Sequence, residues 1–588
     1  MPLDAVVLSG LRRELEQTLV GGRIDKIYQP ERDEIILNIR GRGENLRLLF
    51  SANPTNARVH TGRMQRDNPQ TPPMFCMLMR KLFSGGIIRD IYQPPMERIL
   101  EFTVDTVDEL GSVLQRKIVF ELIGRMSNLI LLDDEGRIVD SLRRIDTDIT
   151  DRRQILPGMF YRYPPTQEKA NPLETSIEQI SSYVESSPPG MRADKWILET
   201  FFGIPPLIAR EIAFRSTGDV SPTFYQMDEM KKERFASALC DLFILIKSGD
   251  TTPYMLLDGE MPYDISYMPI TQYDSRYTNR EYESFSLLVE TFFEKRAASA
   301  RVKQQVQALG RVVSPVLDRV RRKVENQRKE LLEAKDREKL RKYGDLLMAN
   351  LNSVPRGART ARVVNFYDLE GGLIDIPLDP RLSVQQNAAK YYKDYNRMKT
   401  AERVLAEQIQ AGENEIQYLE SVLDMLRRVE STDDIEELRE ELKHTGYLRS
   451  TDKRRSKKSG QTEQRPPQEF RTSGGFTVLC GRNNLQNDRL TLKYAHKNDI
   501  WFHVQKIPGS HVILRTEGKE PDDQTYTEAA MIAAVYSQAH GGQNVPVDYT
   551  RVRYVKKPPG SKPGVVIYDP YFTAYVTPDK EAVDKLRI

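Results

Sequence analysis

A ten-residue segment occurs twice within the first hundred residues of this 588-residue chain. GGRIDKIYQP spans residues 21–30, and GGIIRDIYQP follows sixty-four residues later at 85–94. Repetition at a fixed spacing indicates a duplicated structural unit. The N-terminal region is therefore expected to contain two copies of one unit.

Each copy predicts the order helix, glycine cap, strand, turn, strand. The paired glycines end the helix, since glycine readily takes the left-handed conformation of a helix C-cap. Apolar residues at every fourth position predict the helices: Leu11, Leu15 and Leu19 before the first copy, and Phe75, Met79 and Phe83 before the second.

The turns of the two copies place charged pairs at equivalent positions, Asp33-Glu34 and Glu97-Arg98. An acid beside an arginine offers a polar partner both an acceptor and a fork of donors. A solvated charged turn is the alternative. Further along, polar residues between two apolar strands at 120–133 predict a bend that directs side chains at a partner; the candidates around it are Glu121, Arg125 and Asn128.

Composition indicates several domains, because 39% apolar residues in so long a chain exceed one core. The net charge of +3 means that any surface for a polyanion must come from local clustering. The three cysteines have neither disulfide nor zinc spacing, so neither a disulfide framework nor a zinc site is indicated. No metal and no cofactor is expected. Without a signal peptide or an apolar run of about 18 residues, a cytosolic protein without membrane contact is expected.

Residues 173–270 read as a small helical module. FGIPPLIAREI at 202–212 resembles a helix-hairpin-helix turn, whose glycine-rich loop binds phosphate through backbone N–H groups. Pro205 stands where a second glycine is expected and supplies no N–H. A structural hairpin is therefore favoured over phosphate binding.

Residues 271–448 predict a long antiparallel coiled coil with a small β tip at about 351–381. Apolar residues recur at three-four spacing from Val302 to Val324, and Pro315 is expected to kink the first helix. Sixteen basic against seven acidic residues at 295–345 fit either a solvated rod or one that binds phosphates. A flexible basic linker is expected at 449–468.

Residues 469–588 predict a compact α+β domain. Strands are expected at 476–479, 490–494, 500–505, 511–515, 552–555 and 565–568, with a helix at 527–539. Residues 500–514 read as a β-hairpin that carries Trp501, His503, Lys506 and His511. Such a hairpin suits a nucleic-acid surface, and the alternative is a buried core strand with satisfied histidines.

Basic residues gather in the loops of this domain, and a rigid Pro/Gly loop with lysines suits contact with an RNA backbone. The candidates for ribosomal RNA are Arg553, Lys556, Lys557 and Lys562, together with the hairpin residues. Nothing in the chain resembles a catalytic constellation. The fold class is α+β and multidomain: a duplicated N-terminal α/β domain at 1–172, the helical module, the arm, and the C-terminal α+β domain.

The order of several long motifs resembles the NFACT family: MPLDA, GGRIDKIYQP, FELIGRMSNLILLD, ILPGMFYRYPP and NDIWFHVQKIPGSHVIL. The resemblance implies a ribosome quality-control factor, cytoplasmic and ribosome-associated. Such a factor binds a large ribosomal subunit obstructed by peptidyl-tRNA and recruits charged tRNA, alanyl-tRNA in bacteria, to add an untemplated C-terminal tail. A small S4-domain partner similar to Hsp15, RqcP, is also implied.

In this family an Asp-Arg pair of the N-terminal domain binds tRNA, and the pair falls on Glu97-Arg98 here. Because glutamate replaces aspartate, the role transfers more directly to Arg98. Two alternatives stay open. One is a DNA glycosylase using the amine of Pro2, although Leu3 replaces the catalytic acid of those enzymes; the other is a fibronectin-binding surface adhesin, against which the missing export signal argues.

Overall fold

The computed structural model describes residues 3–41, 43–64, 66–108, 111–145, 153–165, 167–368, 371–429, 431–449 and 465–588. Pro2 and most of the expected linker, 450–464, lie outside these ranges. The chain divides into two units, 1–298 and 299–588.

The first unit contains a nine-stranded sheet and two helices that precede the repeated segments. The helices are α1 (Ala5–Leu19) and α2 (Met74–Phe83). The strands are β1 (Arg23–Tyr28), β2 (Glu34–Arg40), β3 (Asn45–Ser51), β4 (Arg58–Gly62), β5 (Ile87–Tyr92), β6 (Ile99–Val107), β7 (Val113–Glu121), β8 (Asn128–Leu132) and β9 (Ile138–Ser141). Their order is β4-β3-β2-β1-β5-β6-β7-β8-β9, with antiparallel neighbours throughout.

The two copies of the repeat meet at the centre of this sheet, where β1 pairs with β5. Gly21 N–H donates to the Ile88 carbonyl at 2.8 Å, and Gly85 N–H donates to the Ile24 carbonyl at 2.7 Å. These bonds are equivalent under the sixty-four-residue shift. Both glycines have φ near +82°, which L side chains rarely adopt, so the expected glycine caps are confirmed.

The helical module packs against the same core as α1 and α2. Its helices are α3 (Ile177–Glu185), α4 (Ala193–Thr200), α5 (Pro206–Thr217) and α6 (Glu229–Ser248). A three-stranded sheet that the sequence did not indicate follows: β10 (Tyr254–Asp258), β11 (Met261–Ser266) and β12 (Thr278–Glu281). Pro206 occupies the first turn of α5, where its missing N–H costs nothing.

The arm is an antiparallel helix pair. It consists of α7 (Phe285–Lys335), α8 (Glu338–Ala349), the hairpin β13 (Thr360–Val364) and β14 (Leu373–Pro377), α9 (Val384–Arg427) and α10 (Thr432–His444). The predicted seam is buried at Val302, Leu309, Val313, Val320 and Val324. Three ion pairs connect the two sides of the arm, and the residue numbers rise along one side as they fall along the other, as an antiparallel pair requires: Arg321–Glu420, Arg328–Glu413 and Arg337–Glu402. The first helix continues through Pro315 and is interrupted at 336–337.

The C-terminal domain is a six-stranded antiparallel sheet with a helix on one face. Its elements are β15 (Gln468–Arg471), β16 (Thr477–Cys480), α11 (Asn484–Arg489), β17 (Ile500–Val504), β18 (Val512–Leu514), α12 (Asp523–Val535), β19 (Val545–Arg551), β20 (Val555–Lys556), β21 (Ile567–Tyr568), β22 (Phe572–Val576) and α13 (Lys580–Lys585). β20 and β21 pair only with each other, and the other six strands form the sheet. The predicted hairpin is confirmed, since β17 pairs with β18.

Two predicted strands of this domain are wrong. Residues 490–494 continue α11 as a π-helical turn, because Asn483 caps the helix by accepting the Gln486 N–H at 2.8 Å and commits the following residues to it. Residues 552–554 form a 3₁₀ turn. The helix begins at Asp523, four residues before the predicted start, where the Asp522 side chain caps it.

Candidate nucleic-acid interface

The turn that carries Glu97 and Arg98 is held by its own backbone. Met96 takes a left-handed conformation with φ 59°, and the Glu97 N–H donates to the Pro94 carbonyl at 3.0 Å. The Gln93 amide donates to the Glu97 carbonyl at 2.7 Å and to the Ala5 carbonyl at 2.9 Å. A fixed turn presents its half-buried side chains in one geometry.

The predicted equivalence of Asp33-Glu34 and Glu97-Arg98 is wrong by one residue. Tyr28 pairs with Ile36 across the first turn, whereas Tyr92 pairs with Glu101 across the second. The second turn is therefore one residue longer, and Glu34 begins a strand.

The electrostatics of this turn depend on carboxyl groups with limited access to water. Burial raises the pKa of Glu97, with Arg98 opposing the shift and Glu121 adding to it. Burial also raises the pKa of Asp4, the N-cap of α1, to about 7, again opposed by Arg98. Arg98 therefore interacts electrostatically with two carboxyl groups in the first unit.

Glu121 and Asn128 are buried, so neither side chain is accessible to tRNA in this conformation. Glu121 accepts two hydrogen bonds from Arg153, at 2.6 and 3.0 Å, and one from the Tyr161 hydroxyl at 2.8 Å. The Asn128 side chain bonds both backbone groups of Arg143, at 2.7 and 2.9 Å. These two residues fix the bend.

Arg125, by contrast, is exposed on that bend. Its carbonyl accepts the Arg143 guanidinium at 3.3 Å, and the same guanidinium lies 3.8 Å from Asp33 in the first turn. Sequence reasoning missed Arg143 because it follows a short strand without a distinctive pattern. The structure thus links the bend to one turn of the repeat through a third cation.

In the C-terminal domain, Trp501, His503 and His511 form a packed ring cluster. Trp501 is fully buried, lies parallel to His503 with ring centroids 5.6 Å apart, and meets His511 edge to face at 5.3 Å. Burial lowers the pKa of His503 to about 4 and that of His511 to about 3, so both rings are neutral at pH 7. This geometry favours the core-strand alternative, and the three residues offer no cation to a phosphate.

The predicted basic residues divide into two groups. Lys557 forms an ion pair with Asp488, and the Lys562 ammonium lies 5.0 Å from the Tyr447 ring centroid. Lys506, Arg553 and Lys556 are exposed. The Arg553 guanidinium also donates to the Asn498 side chain at 3.2 Å. Exposed cations are the group that a phosphate backbone can reach.

No cluster of three or more metal-ligating side chains occurs within the described ranges. Among the helices whose residues are described, none combines the length and apolar character needed to cross a bilayer. The three cysteines are free thiols.

Comparison with known proteins decides the family. The model of the NFACT N-terminal and middle domains matches residues 4–461, and the model of the NFACT protein RNA binding domain matches residues 467–568. The chain belongs to the NFACT family. The RNA binding domain of that family therefore contains the ring cluster and the exposed cations of the C-terminal region.

Relatives of this NFACT protein are bacterial, archaeal and eukaryotic. It is 38% identical to the Rqc2 homolog RqcH of Bacillus subtilis and 35% identical to that of Streptococcus suis, each over the full length of both chains. Human NEMF, a ribosome quality control complex subunit, is 22% identical over 61% of this chain and 34% of its own. A solved structure of the C-terminal part of the fibronectin/fibrinogen-binding protein from Streptococcus suis is 34% identical; the match covers 49% of this chain and 100% of that one, with a TM-score of 0.39.

Proposed function

We propose that this protein is a cytoplasmic ribosome quality-control factor that binds large ribosomal subunits obstructed by peptidyl-tRNA. It recruits charged tRNA, alanyl-tRNA as the family resemblance implies, so that the stalled chain receives an untemplated C-terminal tail. The 38% identity to a bacterial RqcH over both full lengths carries the proposal. A small S4-domain partner, RqcP, belongs to the same proposal.

The protein contributes positioning rather than bond making. The ribosome forms the peptide bonds, and this chain raises the local concentration of tRNA and holds its geometry. Arg98 and Arg125 are the proposed tRNA contacts, because both side chains lie at least partly in solvent on backbone fixed by hydrogen bonds. Lys506, Arg553 and Lys556 are the proposed contacts to ribosomal RNA.

Two surfaces on one chain predict separable binding. Changing Glu97 and Arg98 together to alanine should remove tRNA from the complex and leave association with the large subunit mostly intact, because the C-terminal cations are untouched. The measurement is co-sedimentation of the tagged protein with large subunits, followed by sequencing of the recovered tRNA.

The matched control changes Glu135 and Arg137 to alanine, an exposed ion pair in the same unit with an N–O distance of 3.0 Å. That variant should recover as much tRNA as the unchanged protein. Undiminished tRNA recovery from the Glu97/Arg98 variant would refute the assignment of this turn.

A further inference from the structure

The loop of the C-terminal hairpin closes one side of a cavity within the second unit. The cavity measures about 240 Å³, and its lining includes Trp501, His503, Lys506, His511 and Tyr568. Pockets for drug-sized ligands measure about 300 to 1,000 Å³. The size therefore suits a smaller group, comparable to a single aromatic ring system.

The lining contains a buried donor without an acceptor. The Trp501 indole N–H makes no hydrogen bond to any described residue, although the side chain is completely buried. Leaving a buried N–H unpaired is unfavourable, because the group has lost its hydrogen bond to water. A ligand with a hydrogen-bond acceptor at that position would remove the cost.

The rings that line the cavity are neutral, whereas its edge is cationic. Both histidines have strongly lowered pKa values, so they offer flat surfaces and hydrogen bonds rather than charge. The Tyr568 hydroxyl donates to the buried Asp548 at 2.8 Å. Lys506 lies at the hairpin loop, exposed, in a left-handed conformation with φ 59°.

A neutral aromatic interior beside an exposed ammonium matches the two parts of a nucleotide. RNA-binding proteins commonly bind an unstacked base of single-stranded RNA by packing it on aromatic side chains. We propose that this cavity receives one unpaired nucleobase of a single-stranded RNA segment and that Lys506 binds the adjoining phosphate. The inference rests on the proposed RNA-binding function of this domain.

The chain contains only two tryptophans, which makes the cavity directly observable. In a full-length Trp196→Phe variant, Trp501 is the sole indole reporter. Titration with RNA pentamers that carry adenine, cytosine, guanine or uracil at the centre should quench its emission saturably for at least one base. The same pentamer with an abasic centre should bind about tenfold more weakly, since base stacking on aromatic residues is lost.

Lys506→Gln should weaken pentamer binding severalfold and leave binding of the corresponding free nucleoside unchanged, because only the phosphate contact is lost. Lys493→Gln is the matched control, since Lys493 is exposed in the same domain but does not line the cavity. It should change binding less than twofold. Isothermal titration calorimetry of the unmodified chain gives the same constants if Trp196→Phe impairs folding.

An equal affinity for normal and abasic pentamers would overturn the proposal. A response to free nucleoside monophosphates without a response to any pentamer would overturn the assignment to RNA. Co-sedimentation of the unmodified protein with large subunits separates the two proposals. If the protein associates with the subunits but binds no pentamer in a base-dependent way, the base cavity alone is rejected. If the protein does not associate with the subunits, the proposed function is rejected.

Discussion

The two turns of the duplicated sheet join equivalent strands, but their charged residues have different surroundings. In the first copy, Glu34 lies in the strand and is buried with Arg58, with an N–O distance of 2.9 Å. In the second copy, one additional residue places Glu97 and Arg98 in the turn, where both are half-buried. The same supersecondary unit therefore buries one acid and presents the other.

The difference comes from loop length rather than from composition. Both turns contain at least one acid and an arginine. Because side chains alternate across a strand with period two, one added residue changes which of them faces the sheet. In the buried pair, Glu34 and Arg58 have both lost contact with water, so each charge depends on the other for compensation. The pair in the second turn lies partly in solvent.

The largest expected effect concerns the buried pair. Glu34→Ala leaves Arg58 buried without its nearest carboxylate and should lower the free energy of opening of the first sheet half by about 3 to 5 kcal/mol. Glu97→Ala should change the free energy of opening of the second sheet half by no more than about 0.5 kcal/mol. Hydrogen–deuterium exchange of peptides from β2 and β6 measures both, and equal losses would remove the distinction between the turns.

A second prediction uses pH to measure the burial of Asp4, the N-cap residue of α1. Asp4 has a pKa of about 7 in the folded protein against an ordinary value of 3.8. The folded state therefore binds more protons than the unfolded state between about pH 4 and pH 7. Its stability is highest below that window and falls as pH rises through it, by at most about 1.4 kcal/mol per pH unit.

Asp4→Asn isolates this contribution, because asparagine also caps helices and bears no charge. It should still accept the Val6 and Val7 N–H groups, at 2.8 and 2.9 Å in the unchanged protein. The difference between the variant and the unchanged protein, followed by exchange of α1 amides, should grow from pH 4 to pH 7 and then level off. A difference independent of pH would contradict the shifted pKa.

The duplication could be predicted from the sequence because glycine caps and four-residue spacing are local signals. The register across each turn could not, since the extra residue is visible only in how Tyr92 pairs with Glu101. Likewise, Trp501 has the same local pattern whether it is exposed or buried. Its surroundings depend on Tyr568 and His511, which other parts of the domain supply.

The candidate tRNA surface shows the same limit. The sequence predicts Arg98 and Arg125 as candidates because they stand beside recognisable turns. The burial of Glu121 and Asn128 follows from contacts with Arg153, Tyr161 and Arg143, which lie further along the chain. Pairing between distant segments decides which polar residue is structural.

A third, smaller effect concerns the face of strands β6 to β9 on which Val119 and Ile130 pack against Ile155. The segment 153–165 covers this face through the hydrogen bond from Tyr161 to Glu121. Tyr161→Phe should lower the free energy of opening of β7 by about 1.5 to 3 kcal/mol, the usual contribution of a hydrogen bond to a charged group. Tyr28→Phe in the first half is the control and should change the opening of β1 by less than about 0.5 kcal/mol; an equal effect would show that the two halves are not distinguished by this segment.

The smallest expected effect extends the contrast between buried and presented charge to the C-terminal domain. Lys506→Gln with Lys556→Gln removes two exposed cations, so the slope of log K against log salt for binding to large subunits should become shallower by about 0.7 to 0.9 per lost phosphate contact. Lys557→Gln should leave the slope nearly unchanged, because Lys557 is already paired with Asp488. Lys557→Gln could instead make the salt dependence shallower by as much as one lost phosphate contact. An ion pair within the protein would then not keep a lysine from binding RNA, and the distinction between paired and exposed charges drawn for the two turns would not extend to this domain.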